Sequence, residues 1–279
     1  MRRYLLIALI LLAARPTEAA EKTLDRSFTV SPGGSLFVDA DGASVKVSAN
    51  EGNQVVVHMV ARDSDDNLAN TTLEAAQKSN DVSVTMRSSR RSWFSWGSRH
   101  SEQSIEVTVP RRYTTNVSTA GGTVELRDTE GAASLRTAGG SISAENVTGN
   151  VELRTSGGSI HAQKIRGDVN ANTSGGNVRL LQIDGKIVGH TSGGSLSCSL
   201  VGSNRGISAT TSGGSIELTL PRAAAGTVEA TTSGGQVSSD LSIRSSVRED
   251  SRLLGSLNGG GEPIYAHTSG GSISLRAAN

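Results

Sequence analysis

Val151-Glu152-Leu153-Arg154-Thr155-Ser156-Gly157-Gly158-Ser159-Ile160-His161-Ala162-Gln163-Lys164-Ile165-Arg166-Gly167-Asp168 is the stretch whose reading decides the fold. Apolar and polar residues alternate on both sides of its Thr-Ser-Gly-Gly centre. Val151 and Leu153 precede that centre, and Ile160 and Ala162 follow it. A period of two marks a strand with one buried face, so the stretch reads as two short strands. The Gly157-Gly158 pair between them supplies backbone angles that a residue with a Cβ resists, which lets the chain turn sharply. Gly167 closes the second corner.

The same unit recurs along the chain. Gly-Gly pairs begin at Gly121, Gly139, Gly157, Gly175, Gly193, Gly213, Gly234 and Gly270, at spacings of 18, 18, 18, 18, 20, 21 and 36. Thr stands two residues before every pair: Thr119, Thr137, Thr155, Thr173, Thr191, Thr211, Thr232 and Thr268. One such coil cannot bury its apolar face alone, but stacked coils can. Like residues then lie over like residues about 4.8 Å apart. The threonines become an internal ladder whose hydroxyls can bond along the stack. The reading is all-β: a single-stranded-type β-solenoid over residues 113–279, about 18 residues per coil, with about nine coils. The 36-residue gap is read as hiding one coil that lacks the motif, with Arg244 to Arg252 as a charged excursion loop.

Upstream the pattern changes. Arg2 and Arg3, the apolar run Leu5 to Ala14 and the small residues Ala19-Ala20 make residues 1–20 a secretory signal peptide. Its apolar run is about half of the ~20 residues that a membrane-spanning helix needs, so no integral membrane protein is expected after cleavage. Residues 21–112 hold short alternating runs and are expected to form a β-rich cap over the solenoid end, where strand edges would otherwise be exposed. Leu68, Leu73 and Ala76, between acidic residues and Lys78, predict one short helix near 65–79.

Composition narrows the function classes. The chain has eight aromatic residues among 279, so its core must be built from small and β-branched side chains. Loss of residues 1–20 removes three arginines and one glutamate and takes the formal charge from +1 to −1. That leaves no basic excess for a phosphate backbone, and nucleic acid is not an expected partner. Cys198 is the sole cysteine, which excludes an intramolecular disulfide framework. Its place in the inward column Leu126, Ala144, Ala162, Leu180, Leu218 and Leu275 makes it a buried, inert thiol.

No catalytic or cofactor constellation emerges. A calcium β-roll repeat carries an Asp that Gly157-Gly158-Ser159-Ile160-His161-Ala162 lacks. His190 and His267 are read as several coils apart, too far to share a zinc that needs three or four convergent ligands. The outward columns Thr123, Ser141, Ser159, Asn177, Ser195 and Glu125, Ser143, His161, Arg179, Ser197 hold no acidic cluster for polysaccharide cleavage. One segment departs from the pattern: Arg90, Arg91, Trp93, Phe94, Trp96 and Arg99 crowd a tip between two strands. Aromatic-basic tips suit partner binding, and they equally suit covering a solenoid end. The C-terminal strand Ser272 to Arg276 reads as an uncapped edge, open to self-association.

The Thr-Ser-Gly-Gly-Ser-Ile copies at Thr155–Ile160 and Thr268–Ile273 carry a resemblance. So do the Gly-rich run Leu254 to Gly261 and the opening Gly33-Gly34-Ser35-Leu36 with Val45-Lys46-Val47. Together they make the chain similar to the bacterial putative-adhesin family, β-strand-repeat envelope proteins with a domain of unknown function. The resemblance covers nearly the whole mature chain. It implies a periplasmic, envelope or secreted location and, by name, adhesion; it supplies no catalytic residues. The expectation is a non-catalytic adhesin-like binding or scaffold module whose partner is an envelope protein or a glycan. The alternatives are an envelope-stress or assembly factor acting through protein contacts and a polysaccharide-active β-helix enzyme.

Overall fold

The computed structural model describes residues 20–63, 68–88 and 102–278. Their strands form two long sheets. The first runs β1 (Ala20–Thr29), β4 (Gln54–Asp63), β7 (Glu102–Pro110), β3 (Ser44–Asn50), β9 (Val124–Arg127), β11 (Ile142–Thr148), β13 (Ile160–Arg166), β15 (Val178–Asp184), β17 (Leu196–Leu200), β19 (Ile216–Leu220), β25 (Ile273–Ala277), β21 (Val237–Ser239). The second runs β22 (Ile243–Glu249), β23 (Arg252–Leu257), β20 (Gly226–Thr232), β24 (Pro263–Thr268), β18 (Ile207–Thr211), β16 (Ile187–Thr191), β14 (Val169–Asn172), β12 (Val151–Arg154), β10 (Ala133–Thr137), β8 (Thr114–Thr119), β2 (Ser35–Ala40), β6 (Asp81–Ser88), β5 (Thr71–Lys78). Each coil gives one strand to each sheet, and neighbouring coils pair in parallel with like positions in register, as Val151 with Val169 and Ile160 with Val178.

Burial follows the alternation. Val151, Leu153, Ile160, Ala162 and Ile165 of one coil are all essentially inaccessible. Within a rung a large residue accompanies a small one: Leu135 with Ala144 and Leu153 with Ala162, then reversed as Ala171 with Leu180 and Ala209 with Leu218. In these four rungs the swap keeps the paired volume similar, whereas the Val117/Leu126 rung holds two large residues and the Gly189/Cys198 rung two small ones.

The turns work differently from the expectation. None of the glycines in the eight Thr-Ser/Ala-Gly-Gly turns has a positive φ. Their second member is required by space instead: a Cβ on Gly158 would sit 2.0 Å from the Gly140 carbonyl oxygen of the rung below, and one on Gly176 2.2 Å from Gly158 O. A Cβ on Gly157 would meet nothing closer than 3.6 Å. Left-handed backbone occurs at the other corner, at Gly149 (φ 144°) and Gly167 (φ 147°). It also forms a column at Asp128, Asn146, Lys164 and Gln182, with φ of 55–62°. That kink resets the alternation, so Val147, Ile165 and Ile183 turn inward one position later than a straight strand would allow.

Both ends depart from simple sequence order. At the N-terminal end β2 and β3 form a rung that pairs directly with β8 and β9 on one side and with β6 and β7 on the other. The antiparallel strands β1, β4 and β5 lie beyond it. Buried Tyr113 ties this region together, its hydroxyl donating to the Asn80 carbonyl. At the other end β24 and β25, last in sequence, are inserted between the β18/β19 rung and the β20/β21 rung.

Three expectations are corrected. Thr71–Lys78 is a strand paired with β6 in place of the expected helix; of the span near 65–79, Leu68 and Ala69 have helical backbone and residues 64–67 lie outside the described residues. Thr71 and Leu73 point in while Thr72 and Glu74 point out, so pairing to cover β6 overrides the helical spacing. The 36-residue gap holds no extra coil; β22 and β23 form an antiparallel hairpin there. The C-terminal strand is no open edge, because β25 is paired on both sides, and the strand that ends that sheet is three-residue β21.

Candidate functional site

The threonine column is wholly inside. Thr119, Thr137, Thr155, Thr173, Thr191, Thr211, Thr232 and Thr268 are all buried. Their hydroxyls do not bond to one another. Each donates to a main-chain carbonyl of the neighbouring rung, as Thr155 Oγ1 to Gly140 O at 2.8 Å and Thr191 Oγ1 to Gly176 O at 2.7 Å. Most also accept from the second glycine of their own turn, as from Gly158 N–H at 3.3 Å. The hydroxyl therefore stitches turn to turn.

The outward serine column at the opposite side of the same turn is also structural. Ser141 Oγ accepts from Ser159 N–H, Ser159 Oγ from Asn177 N–H, and Ser195 Oγ from Ser215 N–H, each at 3.2 Å. Asn150 Oδ1 and Asp168 Oδ1 do the same at the second corner, accepting from Asp168 N–H at 3.1 Å and Lys186 N–H at 2.9 Å. These groups satisfy turn amides that the ladders leave unpaired.

Cys198 is buried between Leu180 and Leu218 in register, and desolvation pushes its thiol far above the usual range. A thiol so held is a poor source of thiolate. His190 and His267 are closer than read from sequence. The inserted C-terminal rung places them two rungs apart with Thr210 between, and His190 Nδ1 lies 2.8 Å from Thr210 Oγ1. Among the described residues no three His, Cys, Asp or Glu side chains converge as a metal site. Arg90, Arg91, Trp93, Phe94, Trp96 and Arg99 lie outside the described residues.

A groove of about 410 Å³ lies on the outer face of the second sheet, crossing β8, β10, β12, β14 and β16. Its floor is the column Asn116, Ser134, Glu152, Asn170 and Val188, each in register with the next. All five are half-buried although they point away from the core. Several are held from the side. Glu152 accepts from Arg136 Nη2 at 2.7 Å through Oε2 and from Arg154 Nη2 at 2.6 Å through Oε1. Asn172 Nδ2 donates to Asn170 Oδ1 at 2.8 Å. The outward half of each alternating strand signals this column in the sequence, but alternation says nothing of depth.

A flat, two-sheet parallel β-solenoid with a threonine-stitched turn and a polar groove on one sheet is the class that the geometry defines. The family is found by comparison: residues 34–276 match the model of the Toastrack DUF4097 family, and the chain belongs to that family. A solved structure described as a putative adhesin from Bacteroides fragilis NCTC 9343 shares the fold, at 13% identity and a TM-score of 0.51, with 92% of this chain and 97% of that one covered. A structure described as a putative lipid binding protein from Parabacteroides distasonis ATCC 8503 is similar at 12% identity and a TM-score of 0.37, with 92% and 97% covered. A putative cell adhesion protein from Clostridium sporogenes ATCC 15579 gives 10% identity, a TM-score of 0.30, and 92% and 100% covered. No curated protein matches the chain.

Proposed function

We propose that this chain is an exported, non-catalytic binding module of the bacterial envelope, a rigid stack that presents one sheet face to a partner. The groove over Ser134, Glu152 and Asn170 carries this reading. The serine column Ser141, Ser159 and Ser195 is spent on turn amides, whereas Glu152 and Asn170 on the groove floor are held by neighbouring side chains and still face outward. Pre-set polar groups on a rigid support lower the ordering cost of binding. The descriptions of similar structures as adhesins are consistent with it, as is a leader-like N-terminus. Glu152 also fits binding better than hydrolysis, since both of its oxygens are held by arginines.

The test is sedimentation of the mature chain with isolated bacterial envelopes. Saturable co-sedimentation, reduced by an Asn116→Arg, Asn170→Arg double substitution that fills the groove, is the expected result. The same reaction should release no new reducing ends. Absence of any envelope association, or steady release of reducing ends, would overturn the reading.

A further inference from the structure

The geometry points to a neutral, linear glycan as the ligand of the second-sheet groove, a proposal that rests on the binding-module reading above. Four observations converge on it. First, the floor carries side-chain amides, a carboxylate and the Ser134 hydroxyl, which donates to Glu152 Oε2 at 3.3 Å and keeps its lone pairs to accept. Donors and acceptors thus both face a polyhydroxylated chain. Asn150 and Asn170 have their Oδ1 atoms engaged within the protein, by Asp168 N–H and Asn172 Nδ2, so the amide Nδ2 groups are the atoms left to donate to a ligand.

Second, the charges nearly balance. Glu152 and Asp168 stand against Lys186, Arg136 and Arg154, and both arginines are paired with Glu152. One surplus positive charge is a weak draw for a polyanion and repels a cationic peptide. Third, aromatic rings stand in the same column at the two ends of the run. Phe37 is beside Asn116 and 46% exposed, and Tyr265 lies two rungs beyond Val188, its ring stacked on His267 at 6.4 Å. An exposed ring face in line with polar hydrogen-bonding groups suits the apolar face of a pyranose.

Fourth, the site is elongated along the stack. The groove crosses five strands, about 19 Å at the inter-strand spacing, and Phe37 and Tyr265 stand beyond its lining, one rung past Asn116 and two past Val188. An extended peptide would seek the unpaired main chain of a sheet edge, and the groove lies across paired strands whose main-chain groups already serve the ladders.

Isothermal titration of the mature chain with neutral linear hexasaccharides of glucose, N-acetylglucosamine and mannose, beside a sulfated oligosaccharide, tests this. At least one neutral hexasaccharide should bind, with affinity rising from disaccharide to hexasaccharide. Asn170→Ala and Tyr265→Ala should each weaken it about tenfold or more, the loss of one good hydrogen bond or ring contact. Ser143→Ala on the opposite sheet should leave affinity unchanged, and all three variants should melt with the parent. Binding that ignores Asn170→Ala and Tyr265→Ala would overturn the site. Preference for the sulfated chain, or no neutral hexasaccharide bound while the parent still sediments with envelopes, would overturn the ligand class and leave the binding module standing. Failure of both titration and sedimentation would remove the module as well.

Discussion

Between Thr114 and Leu220, coils that follow one another in sequence follow one another in space; at either end of the stack they do not. The central and outer coils share the threonine turn. Thr268 and its turn make the same two hydrogen bonds as Thr191 and its turn, to Gly214 O and from Gly271 N–H. At that turn, what differs is which neighbours a coil has. The lesson is that the repeat specifies a rung and leaves the order of rungs to the connections. A copy that arrives last can fill a middle place because the interface it meets is the common one.

Predictions that probe this contrast begin with a buried charge. Ala171 sits in the regular run and Ala266 in the inserted rung, and both are completely buried. Ala171→Asp and Ala266→Asp should each cost about 4 kcal/mol or more, because neither site offers a partner for the charge. Chemical denaturation followed by circular dichroism reads both. A much milder Ala266→Asp would mean that the last rung is a frayed end.

The paired glycines give the next effect. Gly158→Ala should destabilise by about 3 kcal/mol, since its Cβ would overlap a carbonyl of the rung below, while Gly157→Ala should fall within about 0.5 kcal/mol of the parent. Equal effects in melting experiments would assign the pair to backbone conformation instead of close approach.

Two buried threonines should respond in opposite directions. Thr155→Val removes a donor to Gly140 O and an acceptor for Gly158 N–H and should cost about 1–3 kcal/mol. Thr115 occupies the inward column of Ala133, Val151 and Val169, and its Oγ1 has no hydrogen-bond partner among the described residues. Thr115→Val should therefore stabilise by about 1 kcal/mol. The smallest effect is at the kink: Lys164 holds φ of 56°, and Lys164→Gly should gain about 0.5 kcal/mol, relief of left-handed strain less the entropy of glycine. A loss on either substitution would show that the side chain is doing something the backbone geometry does not.

The same contrast explains what was legible in the sequence. The Thr-Ser/Ala-Gly-Gly turn, the inward Val151, Leu153, Ile160 and Ala162, and the buried Cys198 all follow from short-range alternation, and short-range alternation is visible in one coil. Placement of β24 and β25 is a long-range choice among near-identical partners, so His190 and His267 read as far apart when they are two rungs apart. Thr71–Lys78 looked helical because Leu68, Leu73 and Ala76 share a helical face, but its partner β6 decides its state. The groove stayed hidden for another reason: outward residues are recognised by alternation, while the depth of Asn116, Ser134 and Asn170 comes from how the flanking columns rise around them.

The central claim, a two-sheet stack whose last coil is spliced between two earlier ones, is most directly tested by nuclear Overhauser contacts across rungs in a deuterated sample. Backbone amides of Ile264, Ala266 and Thr268 should show cross-peaks both to Ile207, Ala209 and Thr211 and to Val228, Ala230 and Thr232, with none linking Ala209 to Ala230. Direct Ala209–Ala230 cross-peaks, with residues 263–268 touching one side only, would contradict it.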